Sequence, residues 1–206
     1  CGRFVIATPL VSIFEYFDIH DPRVTDMGPR YNVAPSTPIY MVRDSGEART
    51  LDLAHWGFIP SWSKTAAGGP LPINRRSKPV KSGRLFKRAF EQRRCIIPAD
   101  GYYEWQAREG RRKQPYYIQR SDQKLLALGA IWETWHEGDD DEVTSTSIIT
   151  TPANAATEDL HHRMPLILEE DAWDAWLLGD DPEKLMEPAA DDVLTWRPVN
   201  PAVGNV

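Results

Sequence analysis

Prolines constrain the fold of this chain more than any other feature, because 17 of them are spread along its 206 residues. Proline lacks a backbone N–H and fixes φ, so it interrupts the interior of helices and of sheets. A chain interrupted this often favours many short elements joined by turns over a few long helices. Its length suits one domain, residues 1–206, with a proper hydrophobic core.

Strand patterns outnumber helical patterns. Runs of β-branched and aromatic residues predict strands over 39–43, 51–59, 95–97, 116–119, 124–132 and 144–150. Helical periodicity predicts helices over 82–93 and 170–178, and a helix start over 151–154. Because strands and helices do not alternate, the sequence predicts an α+β fold with mostly antiparallel sheets and a few short helices.

The cysteines and the hydropathy indicate a cytoplasmic protein. The chain has two cysteines, which is too few for a disulfide scaffold and fits a reducing compartment. Cys95 lies beside two isoleucines and is predicted to be a buried residue of a strand. No apolar run approaches the roughly 18 to 20 residues of a membrane helix, and no signal peptide is visible.

The charges are segregated. The net charge is −6, yet residues 75–94 hold nine Lys or Arg and a single acid, Glu91. Residues 108–120 add five basic residues, while acids collect over 133–142 and 169–192. Because binding depends on the local field, the basic tract favours an anionic partner, although a solvated surface is the simpler interpretation of any one charge run.

The first residue, Cys1, places a thiol beside the α-amine of the chain. A scar of tag cleavage or a domain cut from a longer chain would produce the same start. A processed N-terminus would instead expose a 1,2-aminothiol, which has chemistry that no internal cysteine can perform.

Seven stretches are too unusual to be connecting structure. They are CGRF from residue 1, YNVAPS from 31, WGFIPSW from 56, PINRRS from 72, RRCIIPADGYYEW from 93, TTPAN from 150 and HHRMPLIL from 161. In this order they resemble the SRAP (SOS response-associated peptidase) family, which processes abasic sites in DNA. The resemblance extends to the final PVNPAVGNV and implies the SRAP fold, with barrel-like sheets and Cys1 on the floor of a basic groove. Members of this family lose the initiator Met and expose Cys as residue one.

Abasic chemistry suits an N-terminal cysteine. The open form of an abasic sugar presents an aldehyde, and an α-amine with a pKa of about 7.7 to 8.0 is partly neutral near pH 7. The amine of Cys1 can form a Schiff base, and the adjacent thiol can then close a five-membered thiazolidine on the same carbon. We therefore expect a covalent crosslink to abasic sites in single-stranded DNA, with lyase-like strand cleavage as a side reaction.

The resemblance also assigns catalytic residues beside Cys1. Glu104 in GYYEW is the acid/base, and neighbouring aromatics could desolvate its carboxylate. Asn74 orients the Cys1 adduct. The family pattern His-x-Arg-Met-Pro selects His161 over His162, and adjacent residues of an extended segment would point to opposite faces.

The expected DNA contacts are spread along the chain. The resemblance implies phosphate contacts for Arg3, Arg76 and Arg163. It transfers less firmly to Trp62 and Thr150, where the alignment is ambiguous by one residue. Pro35 could act as a wedge against an unstacked base, as apolar side chains do when they kink DNA. Arg75 and Lys78 stand where the family has a small residue and an acid, so the local geometry after Asn74 is a departure from its pattern.

Three other functions fit parts of the sequence. Glutamine amidotransferases also begin Cys-Gly, although Arg3, Phe4 and the basic tract suit a small neutral amide poorly. A cysteine peptidase could use Cys1, His161 and Asn74. Self-removal of the initiator Met would by itself explain the word peptidase in the family name. A non-catalytic binder of single-stranded DNA would bind reversibly. We expect a monomer with no metal or organic cofactor, since the His161–His162 pair has no metal-ligand spacing.

Overall fold

The computed structural model describes residues 1–66, 71–80 and 83–205. Within these ranges the chain forms thirteen strands and three α-helices. The strands are β1 (Arg3–Ile6), β2 (Ile19–Pro22), β3 (Arg30–Val33), β4 (Pro38–Asp44), β5 (Arg49–Trp56), β6 (Asn74–Arg76), β7 (Arg94–Ala99), β8 (Gly101–Gln106), β9 (Gln114–Arg120), β10 (Leu126–Trp135), β11 (Val143–Pro152), β12 (Arg163–Pro165) and β13 (Leu194–Pro198). The α-helices are α1 (Leu10–Phe17), α2 (Lys87–Gln92) and α3 (Trp173–Leu178).

Five strands close into a barrel in the order β11-β10-β7-β4-β5. The neighbours within this series are antiparallel, and the closing pair β5–β11 is parallel, with Ser145 opposite His55 and Thr146 opposite Trp56. Farther along the same edge of β11, the short strand β6 replaces β5, and Asn74 pairs with Ile148. Closure leaves the barrel interior to buried side chains of these strands.

A second, fully antiparallel sheet has the order β13-β9-β8-β1-β3. The chain passes directly from the barrel to this sheet at Asp100, between β7 and β8. The Asp100 carboxylate accepts hydrogen bonds from the backbone N–H groups of Ala7 at 2.6 Å and Thr8 at 3.1 Å, which fixes this turn against the end of β1. Phe4 of β1 packs on Trp56 of the barrel, with ring centroids 5.1 Å apart, so the two sheets share one core.

The predicted α+β fold with mostly antiparallel, barrel-like sheets is confirmed. Each of the six predicted strands is present, and the helix predicted over 170–178 forms as a 3-10 turn (Glu170–Ala172) that leads into α3. The helix predicted over 82–93 is shorter, since α2 covers Lys87–Gln92, and Ser82 lies outside the described residues. No described helix is both long and apolar enough to cross a membrane.

Two local expectations differ from the structure. The helix start predicted over 151–154 is wrong, because Thr151 pairs with Met164 and Pro152 with Arg163 at the end of β11. Pro152 is tolerated there as the last residue of the strand. Helix α1 was missed, although its apolar residues follow helical spacing and two of them, Ile13 and Phe17, are buried.

Candidate active site

Cys1 lies at the junction of the two sheets, in contact with Glu104 of β8 and Asn74 of β6. It precedes β1, whose Arg3 pairs with Tyr103, so the antiparallel register brings Cys1 to the end of β8. The α-amine nitrogen of Cys1 lies 3.0 Å from Oε2 of Glu104 on β8. The whole residue is 9% exposed and its side chain 0%, so the part that solvent can reach is main chain, and the thiol is covered.

Glu104 is a buried carboxylate whose partner is the α-amine. It is 7% exposed and shares the inner face of β8 with Tyr102, whereas the adjacent Tyr103 and Trp105 alternate to the other face. Oε1 accepts a long hydrogen bond of 3.4 Å from the backbone N–H of Trp105. Apart from the amine, Oε2 has no partner among the described residues. A carboxylate removed from water is stable only when paired, and the α-amine of Cys1 is the group that pairs with Glu104 here.

Asn74 fixes the main chain of Cys1 from the barrel side. Its Nδ2 donates to the Cys1 carbonyl oxygen at 2.6 Å. Its own Oδ1 is buried and has no hydrogen-bond partner within the described ranges. Trp56, which the sequence analysis did not assign to the site, supports this strand by donating from Nε1 to the Ile73 carbonyl at 3.1 Å. A buried acceptor without a partner beside Cys1 is available to a group that binds next to this residue.

His161 is half-buried and follows the turns at 155–160, whereas His162 is exposed. The expectation that the two rings point to opposite faces is wrong: their centroids lie 4.4 Å apart, because the chain bends here and is not extended. Nδ1 of His161 lies 3.1 Å from both the N–H and the carbonyl oxygen of Arg163. Either neutral tautomer therefore has a partner at Nδ1, which leaves Nε2 able to release or accept a proton.

The catalytic residues proposed from the sequence are thus brought together to different degrees. Cys1, Glu104 and Asn74 are in direct contact. In the described part of the chain no hydrogen bond or ion pair links His161 to these three. The connection runs through the neighbouring turn, where Gln106 of β8 donates from Nε2 to the carbonyl oxygen of Asp159 at 2.9 Å.

Two neighbouring arginines form a positive site near Asn74, which shares β6 with one of them. Arg76 is exposed at the end of β6, and its strand partner Thr150 is buried. Arg163 donates from Nη2 to the carbonyl and hydroxyl oxygens of Thr150. Burial, together with the nearby Arg76 cation, lowers the pKa of Arg163. Neither arginine has a carboxylate partner among the described residues, which is the arrangement expected of an anion site.

The three remaining DNA-contact candidates differ in exposure. Trp62 is 74% exposed, on a turn anchored by a 2.8 Å hydrogen bond from Trp135 Nε1 to the carbonyl of Ser63. Pro35 is half-buried in the turn after β3. Arg3 is already engaged, since its Nη1 donates to Asn32 Oδ1 at 3.1 Å and to the Val203 carbonyl at 3.3 Å.

The departures at Arg75 and Lys78 are accommodated locally. Arg75 lies between Asn74 and Arg76 on β6, with its guanidinium 4.5 Å from the centroid of the Phe86 ring. Burial lowers the pKa of Arg75. Lys78 is exposed in the following 3-10 turn. The larger side chain at 75 therefore packs on an aromatic face and leaves the hydrogen bond from Asn74 to Cys1 in place.

A family model described as SOS response associated peptidase (SRAP) matches residues 1–206. The chain belongs to the SRAP family. Among its relatives, the abasic site processing protein YoqW of Bacillus subtilis (strain 168) is 34% identical over 205 residues, which cover 96% of this chain and 91% of that protein. The abasic site processing protein YedK of Escherichia coli (strain K12) is 33% identical over 216 residues, covering 100% of this chain and 95% of that protein.

Solved structures share this SRAP fold. A crystal structure of a protein from Bacteroides thetaiotaomicron superposes with a TM-score of 0.89 at 22% identity, covering 98% of this chain and 93% of that one. A protein from Bordetella bronchiseptica gives a TM-score of 0.84 at 23% identity, covering 97% of this chain and 100% of that one. At this level of identity the likeness concerns the fold.

Proposed function

We propose that this protein processes abasic sites in single-stranded DNA by forming a thiazolidine crosslink between Cys1 and the aldehyde of the open sugar. The observation that carries the proposal is the 3.0 Å contact between the Cys1 α-amine and buried Glu104. An amine needs a base before it can attack a carbonyl, and this carboxylate is within hydrogen-bond reach. The names of the relatives, several of which are abasic site processing proteins, support the same substrate.

The reaction begins at the amine. Glu104 takes a proton from the ammonium group, the freed nitrogen attacks the aldehyde carbon, and the resulting hydroxyl leaves as water with a proton returned by Glu104. The product is a Schiff base. The Cys1 thiol then adds to the same carbon, its proton ending on the ring nitrogen. One C–N bond and one C–S bond form, and one water molecule is released in total.

The burial of Cys1 supports this order of bond formation. Because its side chain is fully covered and the small exposed area belongs to the main chain, we propose that an incoming aldehyde meets the amine before the thiol. The thiol then needs only a short rearrangement to reach the imine carbon, since both groups belong to one residue. Asn74 keeps the Cys1 carbonyl fixed during these steps and offers Oδ1 to the adduct.

His161 acts earlier, on the closed form of the sugar. An abasic sugar exists mainly as a cyclic hemiacetal. As its bond between C1 and the ring oxygen breaks to expose the aldehyde, the ring oxygen gains a proton and the anomeric hydroxyl loses one to water. We assign that proton to Nε2 of His161, because Nδ1 is supported in either tautomer by the main chain of Arg163. The Schiff base is also the branch point for strand cleavage, which makes lyase activity a side reaction.

The DNA strand would pass Cys1 along the positive surface formed by Arg76 and Arg163. Arg76 and Arg163 are proposed to bind phosphates flanking the abasic site, with Thr150 holding Arg163 in place. Trp62 is proposed to stack on a base, and Pro35 to wedge against one, both of which require unpaired bases. Arg3 can reach a phosphate only by exchanging its present bonds to Asn32 and Val203.

The proposal is tested by incubating the protein with an abasic oligonucleotide and heating the mixture before denaturing electrophoresis. We expect a heat-stable adduct on the abasic strand and none on the intact strand. A glutamine affinity label should leave Cys1 unmodified. Labelling by the glutamine analogue without any DNA adduct would favour an amidohydrolase, and binding that heat reverses fully would favour a passive binder of single-stranded DNA.

A further inference from the structure

We propose that Gln106 and Asn154 are positioning residues that set His161 relative to Glu104. The proposal rests on the function proposed above and concerns the turn over residues 154–160, which immediately precedes His161 in the chain. Two amide side chains bind this turn, and within the described ranges neither is hydrogen-bonded to Cys1, Glu104 or the His161 ring.

Asn154 holds the start of the turn with both ends of its amide. It is 7% exposed, and its Oδ1 accepts hydrogen bonds from the backbone N–H of Thr157 at 3.0 Å and from the Thr157 hydroxyl at 2.8 Å. Its Nδ2 donates to the carbonyl oxygens of Ala189 at 3.0 Å and Ala190 at 3.4 Å. A buried amide with all of these bonds fixes the turn both internally and against a distant segment.

Thr157 passes this restraint to His161. Thr157 is 3% exposed, and its carbonyl oxygen accepts hydrogen bonds from the backbone N–H groups of Leu160 at 2.9 Å and His161 at 3.2 Å. The main chain of His161 is therefore bonded to the residue that Asn154 caps. A change at Asn154 should displace the histidine without altering its chemistry.

Gln106 links the same turn to the strand that carries Glu104. The two residues are separated by one position on β8, so their side chains leave the same face. Nε2 of Gln106 donates to the carbonyl oxygen of Asp159 at 2.9 Å, two residues before His161. This contact directly joins the strand of one proton carrier to the turn of the other.

The expected defect is specific to one step. His161 is needed to open the closed sugar, whereas a simple open-chain aldehyde needs only Cys1 and Glu104. Loss of positioning should therefore slow adduct formation on a closed-ring abasic site and leave the open-chain reaction nearly unchanged. A merely structural defect would slow both reactions together.

Gln114 provides a matched control for Gln106. The two glutamines are directly paired across β8 and β9, and Gln114 also donates from Nε2 to a backbone carbonyl, that of Val199 at 2.9 Å. Adduct rates would be measured for Gln106→Ala and Gln114→Ala on an abasic oligonucleotide and on an oligonucleotide bearing an open-chain aldehyde. We expect Gln106→Ala to lower the closed-to-open rate ratio about tenfold, within the roughly 100-fold that a 1 Å misplacement can cost. Gln114→Ala should leave the ratio unchanged, and Gln106→Lys, which keeps a donor, should restore part of it.

Asn154 is tested with two variants. Asn154→Asp keeps the acceptor for Thr157 and loses the donor to Ala189 and Ala190, whereas Asn154→Ala loses both. We expect the ratio to fall most for Asn154→Ala and less for Asn154→Asp, with thermal unfolding used to verify that each variant is folded. Combined with His161→Ala, neither Gln106→Ala nor Asn154→Ala should lower the ratio further.

The outcomes separate this proposal from the proposed function. If His161→Ala lowers the ratio and the Gln106 and Asn154 variants do not, positioning is overturned and the role of His161 stands. If His161→Ala slows both substrates equally, the assignment of the ring-opening acid fails, and the positioning proposal fails with it. Additive losses in the double variants would also overturn positioning.

Discussion

The two cysteines of this chain are both buried and both free, but they contact different kinds of groups. Cys95 is 0% exposed within β7 of the barrel, where its Sγ lies 3.7 Å from the Thr146 hydroxyl. Burial raises the pKa of the Cys95 thiol to about 12. Cys1 precedes β1, with its α-amine beside Glu104, and its carbonyl oxygen accepts a hydrogen bond from Asn74.

Both cysteine side chains are fully covered, so burial alone does not decide which of them reacts. With a pKa of about 12, only about one Cys95 side chain in 10⁵ is a thiolate at pH 7, so this residue acts as a small hydrophobe. Cys1 differs because a second nucleophile lies on the same residue and a base lies 3.0 Å from it. The reactivity expected of Cys1 therefore depends on the groups placed beside its thiol. Other pairs of like residues in the chain test this explanation.

Replacing each cysteine in turn gives the largest expected difference in adduct formation. Cys1→Ala and Cys1→Ser both keep the α-amine and lose the thiol, so each should give only a Schiff base that borohydride traps and no heat-stable adduct. Cys95→Ala should form the adduct at the wild-type rate and lose about 1 kcal/mol of stability. The measurement is denaturing electrophoresis with and without reductant. A heat-stable Cys1→Ser adduct at wild-type yield would contradict the mechanism.

Two buried glutamates, Glu104 and Glu133, allow the same kind of comparison for the proposed catalytic base. Glu133 is 8% exposed and bonded to the Arg93 guanidinium at 2.7 Å, a partner that stays charged. Glu104→Gln should slow adduct formation by about 10²- to 10⁴-fold, because the amide cannot exchange a proton. Glu133→Gln should leave that rate unchanged and cost about 1 to 3 kcal/mol of stability. Equal rates for the two variants in a single-turnover assay would remove Glu104 from catalysis.

Much of this contrast could be predicted from the sequence, and the rest depends on contacts between distant segments. The motifs around Cys1, Asn74 and Glu104 indicated the candidate site, and the strand pattern around Cys95 its burial. The parallel closure of β5 on β11 could not be predicted, because it joins His55 to Ser145 without a local signal.

Local errors had local causes. The helix predicted from Thr151 is absent because β12 returns to extend β11, a tertiary contact that overrides a plausible cap. The bend at His161 and His162 likewise depends on the turn before it, so alternation along an extended chain gave the wrong directions for the rings. Gln106 carried no signal at all, since its partner is a backbone carbonyl 53 residues away.

The raised pKa of Cys95 has a consequence for stability at high pH. In the unfolded chain the pKa of this thiol has its ordinary value of 9.0, whereas burial in the fold raises it to about 12. Its contribution is therefore complete below about pH 9 and is lost as the pH rises toward 12, by about 1.4 kcal/mol per unit. Denaturant titrations between pH 8 and pH 11 should show a smaller decline for Cys95→Ala than for wild type. Parallel curves for the two proteins would show that the fold does not raise this pKa.

The smallest expected effect is a change in the salt dependence of DNA binding when one of two arginines is replaced. Arg120 is committed to Asp122 at 2.9 Å and to Glu169 at 3.1 Å, whereas Arg76 is exposed with no carboxylate partner in the described ranges. Arg76→Ala should make the slope of log K against log[salt] for intact single-stranded DNA shallower by about 0.7, the value of one phosphate contact. Arg120→Ala should leave the slope unchanged. If the Arg76 slope equals that of wild type, its side chain makes no phosphate contact.

The central claim is that both nucleophiles of Cys1 bond to one carbon of the abasic sugar. The most direct test is the intact mass of the complex with an abasic oligonucleotide, followed by mapping of the modified peptide. The account predicts a mass equal to the two components minus one water, unchanged by borohydride, with the modification on Cys1 and lost when a residue precedes it. A modification on another residue, or a complex that borohydride reduces in full, would contradict it.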